Sequence, residues 1–324
     1  MDMRKLHADH DGSLPVGVAA PAPLPATEFA DPRYSGLDAW DDEAVLAALL
    51  DSQKRGLDAV TPARPDIAAA AHLATDALKG GGRLVYMGAG SPALIALGDA
   101  LEIPQTYGIA RDRIVILMAG GMAMTEELLG GPEDDAEMGK ADIAEAGIGA
   151  GDCVVCLSAS GTTRYTLAGL RAAKSAGARA VAIAGNAGAP LLAEADIAIL
   201  LDTGAEVISG STRMAAGTAQ KATLNMLSTL VGVRMGHVHD NFMVNVTADN
   251  AKLRHRAAGI IASVAGVDFE AAAEALVAAD DDVKPAIIMA AGGRNLTEAH
   301  DLLARSGGVV RGALALLTGS DAQQ

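Results

Sequence analysis

A few short stretches of this sequence carry side chains whose types and spacing could do chemistry. Ser158-Ala159-Ser160-Gly161-Thr162-Thr163 crowds hydroxyls around one glycine. With several free backbone N–H groups at a helix start, such a run can cradle a phosphate. It can equally be an ordinary helix N-cap with spare serines. A second stretch, GAGSPALIALGDALEIPQTYG over 88–108, opens as a glycine turn and continues with Pro92, Ala93 and Leu94 where ligand-facing hydroxyls would be expected. Ser91 before Pro92 reads as a helix start, with serine as N-cap and proline at the first helical position. The helix is expected to run to about Leu101 and stop before Pro104. Glu102 would then sit near a helix C-terminus, where the dipole raises a carboxyl pKa toward that of a general acid/base. A solvated glutamate at the end of a helix is the other reading. Glu133-Asp134-Asp135, in GGPEDD, reads on its own residues as a solvated acidic turn.

The Cys153 and Cys156 pair lies inside DCVVCLSAS, an apolar β-branched run rather than a helix start. A strand there points the two thiols to opposite faces, so the pair is expected to be structural. His237 and His239 are two apart, but no acidic or cysteine partner stands at ligand spacing. No metal and no cofactor are expected.

The elements that must position these residues follow from the pattern of apolar runs. RLVYMG (83–88), RIVILM (113–118), CVVCLS (153–158), AVAIAG (180–185) and DIAILL (196–201) alternate with helix-compatible segments. That alternation predicts an α/β fold, a three-layer, doubly wound, five-stranded parallel sheet with ligands beyond the C-terminal strand ends. Helices are expected at about 40–56 and 66–79, and a long one within about 211–235. After Asp268 the chain turns strongly helical. The expected organisation is an extended N-terminal arm over 1–35, an α/β domain over 36–265 and a small helical C-terminal domain over 266–324.

At 324 residues, 50% hydrophobic and 20% charged, the chain can bury a large core. Its net charge of −15 argues against nucleic acid and anionic membranes as partners. No apolar run reaches transmembrane length and no signal-peptide core follows the N-terminal basic residues, so a cytoplasmic protein is expected.

Taken together, RLVYMGAG, Glu-x-Pro-x-Thr-Tyr-Gly (102–108), MAGG (118–121), GGPEDD, SASGTTRY, GAEVISGSTRMAAGTAQKATLNMLST (204–229) and NFMVNVTADNAKL (241–253) resemble the N-acetylmuramic acid 6-phosphate etherases. The resemblance covers roughly residues 36–315, and GSTRMAAGTAQK is its most specific part. It implies the sugar-isomerase (SIS) fold, flavodoxin-like, and a lyase that removes D-lactate from C3 of a sugar phosphate to leave N-acetylglucosamine 6-phosphate. It further implies Glu102 as the acid/base at C2 and Glu133 as the second catalytic glutamate, assisting lactate departure or water addition. Ser158, Ser160 and Thr163 become the phosphate hydroxyls. Gly90, Ser91, Gly161, Glu206, Ser211, Thr212 and Lys221 become further substrate-binding positions. A small-molecule sugar phosphate is the implied partner, and a homodimer whose sites are completed at the shared surface is the implied assembly. The chain departs from the family where G-A-G-T-S-G-R is replaced by Gly88-Ala89-Gly90-Ser91-Pro92-Ala93-Leu94. S-G-R-T-P becomes Ser160-Gly161-Thr162-Thr163-Arg164, and the lysine of R-M-K-A-G becomes Ala215. Two other activities fit the same fold. One is an aldose–ketose phosphosugar isomerase; the other is a non-catalytic sugar-phosphate sensor resembling the glucokinase regulatory proteins.

Overall fold

A computed structural model describes residues 25–127 and 130–319. Among them, the predicted strands appear as β1 (Leu84–Gly88), β2 (Ile114–Met118), β3 (Cys153–Leu157), β4 (Arg179–Ala184) and β5 (Ile197–Leu200). They form one parallel sheet in the order β2-β1-β3-β4-β5. β1 and β3 are buried along their whole length, as uninterrupted apolar runs require when helices cover both faces. The strand order reverses direction between β1 and β3, so the loops leaving those two strands diverge and open a crevice at the switch point.

Twelve helices accompany the sheet among the described residues: α1 (Asp42–Asp58), α2 (Val60–Lys79), α3 (Gly90–Tyr107), α4 (Ala136–Glu145), α5 (Arg164–Ser175), α6 (Pro190–Glu194), α7 (Ala215–Arg234), α8 (Ala251–Ala265), α9 (Phe269–Ala278), α10 (Val283–Ala290), α11 (Leu296–Arg305) and α12 (Val310–Leu317). α2, α3 and α7 bury Ile67, Ile103 and Leu224 against one face of the sheet, with Tyr86, Val155 and Ile183. α4, α5 and α6 bury Ile143, Leu170 and Leu191 against the other, with Met87, Val154 and Ala182. The layers are thus helix, sheet, helix. Cys153 packs on the first face and Cys156 on the second, both free and fully buried. Burial pushes the Cys153 thiol up to about 12 and Cys156 still higher, which makes both inert.

A separate core runs from Val244 to Ala313 and is built by α8 to α12. α8, placed with the sheet by the sequence reading, contributes Leu253, Ile260 and Ile261 to this helical core. A short antiparallel hairpin (Val238–His239 with Phe242–Met243) joins the two parts.

Three expectations are corrected. The arm expected over 1–35 lies outside the described residues as far as residue 24, and from Pro25 the chain is docked rather than free. It makes short 3-10 turns at Ala26–Glu28 and Pro32–Tyr34, and Thr27 is wholly buried. α2 starts at Val60, because prolines at positions 62 and 65 fall in or just past its first turn, where few N–H groups have helical partners to lose. α3 runs to Tyr107, not Leu101. Pro104 is tolerated because buried Ile103 and Tyr107 hold the last turns to the core. The Tyr107 hydroxyl also donates to Thr229 Oγ1 (2.9 Å), and Asn245 Nδ2 donates to the Tyr107 carbonyl (2.8 Å). Gly108, at φ +60°, closes the helix with its N–H on the Pro104 carbonyl.

Candidate functional site

The crevice at the switch point is a cleft of about 350 Å³ whose walls include Gly90 and Ser91 after β1, Glu133 after β2, and Ser160 and Thr163 after β3. Thr212, just before α7, closes another side. Residues predicted from four separate motifs therefore meet at one place.

The hydroxyl loop is built from beneath. Ser158, only 2% exposed, accepts a hydrogen bond from the Gly161 N–H (2.9 Å) and pairs with Thr163 Oγ1 (2.8 Å). Gly161 turns through φ +75°, and a Cβ there would collide with the Ala189 side chain. Ser160 Oγ accepts from the Thr162 N–H (3.2 Å) and shares a hydrogen bond with the Thr162 hydroxyl (2.9 Å). With α5 beginning at Arg164 and no side chain capping its first turn, the loop offers hydroxyls and the positive end of a helix together. Arg164, the displaced arginine of this motif, is exposed and does not line the cleft.

Gly90, not Ser91, opens α3. Ala89 is the N-cap, no side chain caps the turn, and Gly90 takes φ +57°. The expected serine cap is therefore absent, because the left-handed Gly90 sets the helix start two residues earlier. Ser91 is left to face the cleft. The Glu133 carboxylate lies against this turn, with Oε1 2.5 Å from where a Gly90 Cβ would stand. Glu133 belongs to the 3-10 turn Gly131–Asp134. Partial burial, and then the neighbouring Asp134, push its carboxyl above the usual carboxylate range.

The other predicted residues fall elsewhere. Glu102 lies in the body of α3, exposed, twelve residues past Gly90, a rise of roughly 18 Å along the axis. The reading of Glu102 as a helix-end carboxylate falls with the longer helix. Glu206 is fully buried, and its two oxygens accept from the Ala215 and Ala216 N–H groups (3.0 and 2.9 Å), anchoring the start of α7. Its carboxyl is raised by burial, which those two N–H groups oppose. Lys221 is exposed on α7, and Ser211 stands outside the cleft lining.

Sequence reasoning missed two residues here. Glu28, from the docked N-terminal segment, lines the cleft. Asn186, after β4, donates through Nδ2 to the Ala159 and Ser160 carbonyls (3.2 Å each) and accepts from the Ala26 N–H (2.8 Å). It ties the segment to the hydroxyl loop. No local signal marks either, since the contact joins positions 160 residues apart.

Residues 135–230 match the SIS domain family. N-acetylmuramic acid 6-phosphate etherase of Deinococcus radiodurans is 43% identical over 89% of this chain and 94% of its own. The etherases of Mycolicibacterium smegmatis (42%, 89% and 97%) and Pectobacterium atrosepticum (38%, 89% and 95%) align over the same share of this chain. Among solved structures, a phosphoheptose isomerase from Francisella tularensis is 16% identical with a TM-score of 0.45, covering 59% of this chain and 97% of its own.

Proposed function

The chain belongs to the N-acetylmuramic acid 6-phosphate etherase family, and on that premise we propose how its cleft performs the family reaction. The protein is a carbon–oxygen lyase that cleaves the D-lactyl ether of N-acetylmuramic acid 6-phosphate. The products are N-acetylglucosamine 6-phosphate and D-lactate, a step in the recycling of cell-wall sugar. The observation that carries the site assignment is the meeting, across one cleft, of the hydroxyl loop and a carboxylate whose pKa is raised.

The 6-phosphate is held by Ser160, Thr163 and the start of α5, on a loop kept in shape by Ser158 and Gly161. In the ring-opened sugar, the C1 carbonyl acidifies the proton at C2. A glutamate takes that proton, and the electron pair moves to form the C2–C3 double bond as the C3–O bond breaks. The departing lactate oxygen needs a proton, and the Glu133 carboxyl, raised above the usual carboxylate range by burial and Asp134, supplies it. Water then adds at C3 and returns a proton to Glu133, while C2 is reprotonated from the first glutamate. Atoms balance as substrate plus water giving the two products.

Glu102 is the first glutamate in this reading, delivered by a second copy of the chain. It is exposed on α3 beside Leu101, itself 51% exposed, and α7 presents Met226 and Val233 to solvent. Burying these apolar side chains between two copies favours a homodimer. Its α3 would bring Glu102 to the neighbouring cleft. The cytoplasm, where a phosphorylated sugar accumulates, is the proposed location; no helix among the described residues can cross a membrane. Incubation with N-acetylmuramic acid 6-phosphate and enzymatic assay of released D-lactate tests the function. Binding of the sugar phosphate without lactate release would favour the sensor reading instead.

A further inference from the structure

Glu28 shares with Glu133 an arrangement that nothing in the motif reading anticipates. Each carboxylate lies over a left-handed glycine in the wall of the same cleft. Glu133 stands over Gly90, and Glu28 over Gly210, where φ is +75° and a Cβ would come 2.8 Å from Glu28 Oε2. The backbone carrying Glu28 is fixed on both sides. The Gly210 N–H donates to the Thr27 carbonyl (3.0 Å), Ser209 Oγ donates to the Glu28 carbonyl (2.8 Å), and the Ala26 N–H donates to Asn186. Yet the Glu28 side chain makes no hydrogen bond or ion pair among the described residues, so the segment is anchored while its carboxylate is left for the cleft.

The position is electrostatically adverse for an anion alone. No lysine or arginine is among the described residues lining the cleft, and two carboxylates are. A carboxylate is only an acceptor, so a bound molecule that stabilises it must donate hydrogen bonds. The phosphate of a sugar phosphate, once fully ionised above its second pKa, carries no proton and cannot do this; the hydroxyls and amide N–H of the sugar can. We propose that Glu28 is a sugar-binding residue that accepts hydrogen bonds from the hydroxyl or acetamido N–H groups of the substrate, making the N-terminal segment the wall that distinguishes a sugar phosphate from phosphate itself. The proposal rests on the reading of the cleft as a sugar-phosphate site.

Binding of two probes, N-acetylglucosamine 6-phosphate and methyl phosphate, to the wild type and Glu28→Gln at a pH where both phosphates are fully ionised separates the outcomes by sign. Loss of a charge-assisted bond weakens the sugar phosphate by roughly 10-fold or more. Methyl phosphate, which has no proton to donate, binds as well as before or more tightly, because an anion has left the site. Gly210→Ala, which pushes the carboxylate aside without removing it, weakens the sugar phosphate in the same way. If Glu28→Gln weakens both probes, the residue only holds the segment in place and the proposal is wrong. If it strengthens or leaves both unchanged, Glu28 touches no sugar and the proposal is equally wrong. Lactate release by the wild type tests the lyase reading separately, so failure of one is distinguishable from failure of the other.

Discussion

The Glu133 carboxylate rests on Gly90, with 2.5 Å between its Oε1 and the place of a Gly90 Cβ. Gly90→Ala therefore meets two obstacles, a φ of +57° and an occupied space. The backbone strain costs about 1–2 kcal/mol of stability. Displacing Glu133 by even an ångström is expected to lower kcat about 100-fold. Steady-state lactate release beside urea denaturation separates the two effects. A variant with wild-type kcat would show that this glycine does not set the carboxylate.

Glu133→Gln removes the proton donor but keeps its shape, and is expected to lower kcat by roughly 10²–10⁴-fold with little change in KM. The pH profile gives a sharper check. As a general acid Glu133 works protonated, so kcat falls as pH rises through its pKa. Because burial and Asp134 raise that pKa, the fall comes above the usual carboxylate range. Asp134→Asn removes one of the two causes and should move the fall to lower pH; an unmoved profile would assign the inflection to another group.

The two serines of the hydroxyl loop separate by burial. Ser160 lines the cleft, and Ser160→Ala is expected to weaken binding of the sugar phosphate by about 1–3 kcal/mol without changing the denaturation midpoint. Ser158 is buried beneath it and accepts the Gly161 N–H. Ser158→Ala leaves that buried donor unpaired, so it should lower stability by a similar amount as well as binding. Calorimetric titration and denaturation of both variants read the difference.

If Glu102 serves the neighbouring cleft, Glu102→Gln and Glu133→Gln are each inactive, yet a mixed dimer contains one intact site. After subunit exchange at equal concentrations, about a quarter of wild-type activity should return, by the statistics of pairing. No recovery would place Glu102 outside the partner's site.

The sheet was legible because each strand is an unbroken apolar run between helix-compatible segments, which local sequence displays. The hydroxyl loop was legible for the same reason: it follows one of those runs directly. The length of α3 was not. Ser91-Pro92 and Pro104 are strong local signals, and they were overruled by the left-handed Gly90 and by the burial of Ile103 and Tyr107, which depends on α7 more than a hundred residues later. Glu28 was invisible for a related reason. Its segment is rich in proline and alanine and has no apolar period, and only the contacts with Asn186, Ser209 and Gly210 fold it onto the cleft.

The central claim is that lactate leaves by elimination after proton abstraction at C2, and the isotope content of the product tests it most directly. When the wild type converts N-acetylmuramic acid 6-phosphate in deuterium oxide, D-lactate should appear with N-acetylglucosamine 6-phosphate carrying deuterium at C2. The label enters because the carboxyl of Glu102, exposed on α3, exchanges the abstracted proton with solvent before it reprotonates C2. Product that retains hydrogen at C2, with lactate released from C2-deuterated substrate no more slowly than from the protiated one, would contradict the account, since removal of the C2 proton would then play no part in the loss of lactate.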